Sequence, residues 1–410
     1  MSTFVKLLSD LDGKILNIYS ASQDNILFEK NSNKRIFNLI DKSSIIPFIN
    51  DFNKFLISQN IYVKLTYSVY FNNSKTLSYI YIKKLNRHLL IKIKKINLTN
   101  SLIKKNKFLE TLMFVVRFKF VIGSIMPFIF ATFWSYCKYK EIVFLFLILM
   151  FMAIILLHMA ANTFNDYFDW SSGRDVKNVD YLLASTGGSR AIDFNLISEK
   201  NMLLISWMFI FLALLIGLYI TYCRGYEILI VGFTAFLCIY FYSAPPIHLA
   251  SRYGLGELVH VFCLGPMIVY GTCLTLSGSA DFTDFVIGFP FGILITACLL
   301  MNEYPDSKYD KISKKNNLAV VLSVKYIPYF FSALILLVYS VVFLFVQLNL
   351  IDKIVYITFI AFPYSINVAY STFLIVKNRK FVVQACVKSF YLYIFFSILY
   401  ILSVVLSNPW

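Results

Sequence analysis

Two short stretches of the chain combine acidic and amide side chains in a pattern that suits metal-ion chemistry. They are NTFNDYFDWSSGRD over 162–175 and NEYPDSKYDK over 302–311. In the second stretch, Asn302, Asp306 and Asp310 recur every four residues. On a helix this spacing keeps them on one face, with a drift of about 40° per step.

The first stretch repeats the same offset, from Asn165 to Asp169. Seven of the 15 carboxylates after residue 110 fall within 162–180 and 302–310. Carboxylates gathered across a cavity need a cation, and a set of oxygen ligands selects a hard one such as Mg²⁺. Basic residues lie beside both stretches: Arg174, Arg190 and Lys311. Carboxylates with Mg²⁺ and these cations could bind a diphosphate and stabilise its negative charge as it leaves.

Two solvated loops with helix caps are the alternative, but caps do not explain why the pattern occurs twice.

The elements that must position these residues are apolar helices. Of the 410 residues, 59% are hydrophobic and 15% charged, whereas soluble chains average about 45–50% apolar and 25% charged. Apolar runs long enough to cross a bilayer recur along the chain. We therefore predict an all-α polytopic membrane protein with about nine transmembrane helices around a central cavity. The predicted spans are 113–136, 142–166, 202–222, 226–246, 255–277, 285–303, 326–347, 352–376 and 387–407.

The distribution of positive charge predicts the orientation in the membrane. Connections after the even-numbered spans contain 14 Lys and Arg residues, and the opposite connections contain four. By the positive-inside rule, the N-terminus and both acidic stretches are cytoplasmic, and the C-terminus lies outside. The net charge of +16 then points to anionic lipid rather than nucleic acid. The seven cysteines occur singly, which supports neither a disulfide framework nor a zinc site.

Residues 1–108 differ from the rest of the chain in their pattern. Segments within 13–22, 61–71 and 76–96 alternate and are rich in β-branched and aromatic residues, as strands are, and 44–60 predicts a helix. We expect a small soluble α+β domain here, followed by a basic segment beside the membrane. Its order of elements loosely resembles a PAS-type sensor fold, and a docking domain without ligand is the alternative that we favour.

The second part of the chain, roughly 113–407, resembles the UbiA superfamily of integral-membrane prenyltransferases. Both acidic stretches are similar to the family's two Asp-rich motifs, and the first is most similar to that of the quinone-forming members. TGGSRAI over 186–192 and YSAPPIHLASRYGLGE over 242–257 match two further family segments in the same order.

The resemblance implies roles for individual residues, which we state as expectations. Asp169, Asp306 and Asp310 would be catalytic. The Mg²⁺ ligands would be Asn165, Asp166, Asp169, Asp175, Asp306 and Asp310. The diphosphate contacts would be Asn162, Arg174, Arg190, Asn302 and Lys311. Tyr242 and Glu257 would border the substrate cavity, although Glu257 could equally be a first-turn carboxylate favoured by the helix dipole.

Some residues depart from the family pattern or have two interpretations. Where many relatives have a Gly-Lys-Arg/Lys-Thr run, this chain has KKNN over 314–317, and a few positions later Val321 stands where relatives have a basic residue. These departures weaken the assignment of phosphate contacts beyond Lys311. His158 within a span is interpreted as a core residue more readily than as a catalytic one. Arg117 is interpreted as an interface anchor, with a diphosphate contact as the alternative.

The resemblance implies a Mg²⁺-dependent transferase of a bacterial inner membrane. It would move a polyprenyl group from a prenyl diphosphate to an aromatic acceptor, such as the quinone precursor 1,4-dihydroxy-2-naphthoate. A terpene cyclase of the same fold, which needs no aromatic acceptor, is the first alternative. A non-catalytic membrane sensor or regulator is the second.

Overall fold

The computed structural model divides the chain into two compact units. An N-terminal unit comprises Met1–Val115 and Asp175–Ser198, and a helical unit comprises Val116–Arg174 and Glu199–Trp410. The structure describes residues 4–9, 15–20, 45, 47–48, 62–71, 74–85, 88–95, 108–174, 188–377 and 381–407.

The N-terminal unit contains one antiparallel sheet. Its strands are β1 Phe4–Ser9, β2 Ile15–Ser20, β3 Tyr62–Phe71, β4 Ser74–Leu85 and β5 His88–Lys95. They are ordered β2-β1-β5-β4-β3, and alternate residues Ile80 and Ile82 of β4 are buried. A short helix, Phe108–Val115, belongs to the same unit. Most of the helix predicted over 44–60 lies outside the described residues, so the soluble α+β domain and its PAS-like character stay predictions.

The helical unit contains the predicted spans, with boundaries shifted by a few residues. The apolar helices are α1 Phe118–Tyr139, α2 Phe144–Ser171, α3 Glu199–Arg224, α4 Glu227–Ser243, α5 Leu255–Ser277, α6 Phe282–Ile312, α7 Ser323–Gln347, α8 Lys353–Val376 and α9 Val382–Ser407. All except α4 are long and apolar enough to cross a membrane, which makes eight candidate spans among the described residues. These helices confirm the helical membrane architecture.

The shorter α4 corresponds to the predicted span over 226–246. It has 17 residues, about the shortest length that crosses a bilayer. It follows Gly225, whose φ of 106° ends α3 in a conformation that glycine adopts without strain. It stops at Ser243 because the next residue, Ala244, is extended, as residues before proline are. Pro245 and Pro246, which follow Ala244, therefore end α4 on the side that lies beside the acidic stretches.

Glycines allow α5 and α6 to approach closely. α5 contains a π-helical turn at Cys263–Met267. A Cβ added at Gly265 would collide with the carbonyl oxygen of Gly288, and one at Gly292 would collide with the carbonyl oxygen of Val261. Because no larger residue fits between these backbones, the glycines set the distance between two helices that border the site described below.

Polar contacts fix the other end of α6 to α1. Asp284 is fully buried and accepts hydrogen bonds from Trp134 Nε1 at 2.7 Å, Lys138 Nζ at 2.9 Å and Tyr139 Oη at 2.6 Å. α9 is joined to the same two helices, because Tyr393 Oη donates to the Gly123 carbonyl and Tyr400 Oη to the Ile287 carbonyl. These contacts hold α1, α6 and α9 together around the unit's core.

We predict that Gly292→Ala destabilises the helical unit by about 1–3 kcal/mol, the usual cost of overpacking. The added methyl group would displace the α5 backbone at Val261. Thermal unfolding of the purified protein in detergent measures this effect. Gly217→Ala is the matched control, because nothing lies within 4 Å of a Cβ at that position. Equal stability of the two variants would contradict the close packing of α5 and α6.

Candidate active site

The two acidic stretches lie at the C-terminal ends of α2 and α6. α2 is helical through Ser171. α6 is helical to Glu303, tightens into a 3₁₀ turn at Tyr304–Asp306 and ends with the helical piece Ser307–Ile312. The turn contains a proline, which cannot donate a backbone hydrogen bond. It interrupts the continuous helical face predicted for this stretch, yet Asp306 and Asp310 both remain buried.

Asp169 is paired with two cations. Its Oδ1 lies 2.8 Å from Arg174 Nη1, and its Oδ2 lies 3.3 Å from Lys315 Nζ. All three side chains are at most 15% exposed, so solvent screens their attraction only partly. Asn165 Nδ2 also approaches Asp169 Oδ2, at 3.5 Å. The negative charge of Asp169 in the first acidic stretch is therefore compensated partly by Lys315, which follows the second stretch along the chain.

Lys315 connects the two acidic stretches electrostatically. Burial alone would lower the pKa of its ammonium group, but the carboxylates of Asp169, Asp310 and Glu303 raise this pKa well above its ordinary value. Lys315 is therefore charged at every physiological pH. Lys315 was not among the predicted diphosphate contacts, because KKNN over 314–317 departs from the family run, and Lys311 was predicted instead. Lys311 is exposed, so its diphosphate contact stays a prediction.

The segment after α6 is held by side chains of the site itself. Asn317 Nδ2 donates to Asp310 Oδ2 at 2.9 Å, and Asn317 Oδ1 accepts from the Val320 backbone N–H at 3.0 Å. The second contact caps the short helix Leu318–Val321. Glu257 Oε1 accepts from the Leu318 backbone N–H at 2.6 Å. These contacts fold the segment after α6 into a turn that presents Lys315.

Arg117 reaches the first acidic stretch from the residue before α1. Its Nη1 lies 3.4 Å from Asn165 Oδ1 and 3.6 Å from Asp166 Oδ1. Arg117 therefore faces the first acidic stretch, which favours the alternative interpretation, a diphosphate contact, over an interface anchor. Asn162 Nδ2 donates to the Val116 carbonyl at 3.0 Å, which places the amide of the motif against the same entry to α1.

Arg174 is positioned by the segment between α4 and α5. Its Nη1 lies 2.6 Å from His248 Nε2, and its Nη2 donates to Ser251 Oγ at 3.4 Å. Burial, together with the Arg174 charge, lowers the pKa of His248 to about 4. The ring is thus neutral near pH 7, and because arginine only donates, Nε2 accepts. The family-like segment over 242–257 contributes to the site through His248 and Ser251, which its sequence alone does not reveal.

An internal cavity of about 220 Å³ opens beside these groups. Its polar end is lined by Arg117, Asn162, Asn165, Asn302 and Tyr242. The rest of its wall is mainly apolar and comes from α1, α2, α4, α5, α6 and α9. Tyr242 lines this cavity, and its contact with a substrate stays a prediction. Glu257 is not among the residues that line the cavity; it holds Leu318 instead.

Two predicted site residues are not placed in this arrangement. Asp175 lies outside the described residues. Arg190 is described, but it belongs to the N-terminal unit. The metal role of Asp175 and the diphosphate contact of Arg190 both stay predictions.

The donor set at the site fits a hard cation. Asp166, Asp306 and Asp310 are buried carboxylates, and Asn165 adds an amide. Within the described part of the chain, no three carboxylate, imidazole or thiol groups converge closely enough to hold a metal ion. Mg²⁺ typically takes only one or two protein carboxylates and completes its shell with water and phosphate oxygens. The residues therefore fit Mg²⁺ as an ion shared with a bound phosphate group.

Apolar helices with an acidic and basic site at the mouth of an internal cavity define a multi-pass integral membrane protein with a candidate anion-binding centre. The chain belongs to the UbiA prenyltransferase family, whose model matches residues 124–392. The resemblance stated from the motifs is thereby confirmed.

Two relatives are similar over half of the chain. The chain is 25% identical over 203 residues to 1,4-dihydroxy-2-naphthoate octaprenyltransferase of Bacillus subtilis (strain 168). It is 26% identical over 214 residues to UbiA prenyltransferase domain-containing protein 1 of Dictyostelium discoideum. These matches cover 50% and 51% of this chain, and in both cases 63% of the relative.

Solved structures are also similar. A UbiA homologue from Archaeoglobus fulgidus bound to DMAPP and Mg²⁺ is 12% identical, with a TM-score of 0.47, over 71% of this chain and 99% of that one. An apo UbiA homologue from Aeropyrum pernix K1 is 13% identical, with a TM-score of 0.48, over 74% of this chain and 99% of that one.

We predict that His248 makes stability depend on pH. Because its folded pKa of about 4 lies below its ordinary value of 6.5, its contribution is complete above pH 6.5 and is lost as pH falls towards 4. Thermal unfolding in detergent between pH 4 and 7 tests this. His248→Gln should lose less stability on acidification than the wild type. Parallel pH profiles would show that the ring is not held neutral beside Arg174.

Proposed function

We propose that this chain transfers a polyprenyl group from a prenyl diphosphate to an aromatic acceptor, with Mg²⁺ as cofactor. The observation that supports this most directly is the pairing of Asp169 with Arg174 and Lys315 beside an apolar cavity. A diphosphate needs cations at this position, and a prenyl tail needs an apolar wall.

The charges of the site suggest how a donor would bind. Arg174 and Lys315 neutralise Asp169 in the structure, and a diphosphate would compete with Asp169 for both cations. Asp169 would then be available, with Asn165, Asp166, Asp306 and Asp310, to hold Mg²⁺ against the bound diphosphate. Bound Mg²⁺ would stabilise the negative charge of the leaving group. Arg174 and Lys315, with Arg117, Asn162 and Asn302 at the polar end of the cavity, would orient the diphosphate and add to that stabilisation.

The cavity accounts for the organic half of the reaction. Loss of diphosphate from the donor breaks its C–O bond and leaves an allylic carbocation, which an electron-rich aromatic ring can attack without a protein nucleophile. The attacked ring carbon then restores aromaticity by losing its proton, or its carboxyl group as CO₂. The acceptor that we propose is a quinone precursor such as 1,4-dihydroxy-2-naphthoate, which would place the chain in menaquinone biosynthesis. The activity of the Bacillus subtilis relative, a 1,4-dihydroxy-2-naphthoate octaprenyltransferase, supports this choice, as does the similarity of the first acidic stretch to quinone-forming members.

Orientation and domain organisation complete the proposal. We propose that both acidic stretches and the N-terminus face the cytoplasm of a bacterial inner membrane, on the charge asymmetry of the connections. We also propose that residues 1–108 form a separate α+β domain with a docking role, and that the nine-helix domain extends over 113–407. All described donor contacts lie after residue 116, which supports the separation of these roles.

The direct test is incubation of the purified chain with several prenyl diphosphates, a panel of aromatic acids and Mg²⁺, followed by mass spectrometry. We expect a prenylated aromatic product that disappears when EDTA removes Mg²⁺. A cyclised hydrocarbon formed from donor alone would identify a terpene cyclase instead. No product under any condition would favour the sensor or regulator.

We predict that Lys315→Ala lowers kcat/KM by about 10²-fold, as expected for removal of a group that stabilises a leaving anion. Steady-state kinetics at saturating acceptor measures the change. Lys308→Ala is the matched control, because Lys308 is exposed on the same stretch, and it should stay within about twofold of the wild type. An equal loss in both variants, or none in Lys315→Ala, would contradict a specific role for Lys315.

The topology is tested by labelling single cysteines at Ser172 and Ser313 in a variant that lacks the seven native cysteines. Ser172 lies within the first acidic stretch and Ser313 follows the second, so a membrane-impermeant maleimide should label them only after the cytoplasmic face is opened. Labelling of both positions in intact cells would reverse the proposed orientation.

A further inference from the structure

Two histidines face the otherwise mainly apolar cavity. His158 lies on α2 and His260 on α5, and both line the cavity. His158 precedes Asn162 by four residues, or about 6 Å along the helix. The His158 imidazole therefore lies deeper in the cavity than the Asn162 amide at its polar end, and the His260 ring faces the same cavity from α5.

Each imidazole retains hydrogen-bonding capacity that no hydrocarbon can use. The Nδ1 of His158 lies 2.6 Å from the hydroxyl of Ser124, which fixes the ring and leaves Nε2 as the nitrogen available to a ligand. The Nδ1 of His260 is buried and has no hydrogen-bond partner among the described residues. Its ring packs near Tyr242, at 5.9 Å between ring centroids.

Burial of a polar nitrogen without a hydrogen-bond partner costs free energy, and a ligand that supplies the missing hydrogen bond recovers that cost on binding. A prenyl tail offers no such group, and a diphosphate is a multiply charged anion suited to the cations at the cavity mouth. A ring hydroxyl fits best, because it can both donate to and accept from a neutral imidazole. The two histidines therefore match a hydroxylated aromatic ring.

We propose that His158, positioned by Ser124, and His260 form the subsite that binds the ring hydroxyls of the acceptor. This inference rests on the proposed prenyl transfer and defines its acceptor as a hydroxylated aromatic compound. The subsite would hold the ring within the cavity, with a carbon atom directed towards the polar end where the diphosphate leaves. Its residues bind and orient the acceptor, and no proton transfer is required of them.

The test compares acceptor and donor kinetics of the full chain, with 1,4-dihydroxy-2-naphthoate and geranylgeranyl diphosphate as probes. We expect His158→Leu and His260→Leu to raise the acceptor KM about five- to tenfold, as for the loss of one hydrogen bond. The donor KM should stay within about twofold. His88→Leu, in strand β5 of the other unit, is the matched control and should change neither constant.

A second measurement uses the ligand as the variable. The wild type should prefer 1,4-dihydroxy-2-naphthoate over 1-hydroxy-2-naphthoate, and His260→Leu or His158→Leu should lose most of that preference. His158→Gln and His260→Gln, which keep a hydrogen-bonding group, should recover part of it and serve if a leucine variant fails to fold.

Unchanged acceptor KM and unchanged preference in all folded variants would overturn the subsite. So would a parallel rise in donor and acceptor KM, because that pattern indicates general damage to the cavity. If the wild type prenylates no aromatic compound, the proposed function itself fails and the subsite falls with it. Prenylation of an aromatic compound by the wild type therefore separates failure of the subsite from failure of the proposed function.

Discussion

The rest of the site depends on the compensation of buried negative charge by Lys315. Carboxylates from the ends of α2 and α6 cannot share a poorly solvated region unless cations accompany them. Lys315 lies 3.3 Å from Asp169 and also interacts electrostatically with Asp310 and Glu303. It thereby joins one acidic stretch to the other before any substrate is present. Arg174 supplies the second cation, and the segment after α4 fixes its guanidinium through His248 and Ser251.

This arrangement requires a rigid surrounding framework. The turn that presents Lys315 is fastened by Asn317 and by Glu257 of α5, so the position of α5 affects the charge cluster. The close glycine contact between α5 and α6 sets that position. Near the N-terminal end of α6, buried Asp284 connects this helix to α1. Arg117, the residue before α1, contacts the first acidic stretch. Packing and electrostatics are therefore coupled through the same few helices.

The sequence predicted the helices and the acidic stretches because both depend on local patterns. Apolar length identifies spans, and four-residue spacing identifies a helical face. Lys315 and His248 were missed because their contacts depend on turns that reverse the chain, and for Arg117 the contact with the site was only the second interpretation. Lys311 was selected because it follows Asp310 directly, but adjacent residues on a helix point about 100° apart. His260 was also missed, because an apolar span gives no sign of which residue lines its cavity.

The central claim is that Lys315 exchanges Asp169 for the diphosphate when substrate binds. A cryo-electron microscopy structure of the chain with Mg²⁺ and a non-reactive prenyl thiodiphosphate tests this claim most directly. We expect density for the anion at the polar end of the cavity, with Lys315 Nζ in contact with the anion and no longer with Asp169. A structure in which the anion binds elsewhere, or in which Lys315 stays on Asp169 beside a bound anion, would contradict the account.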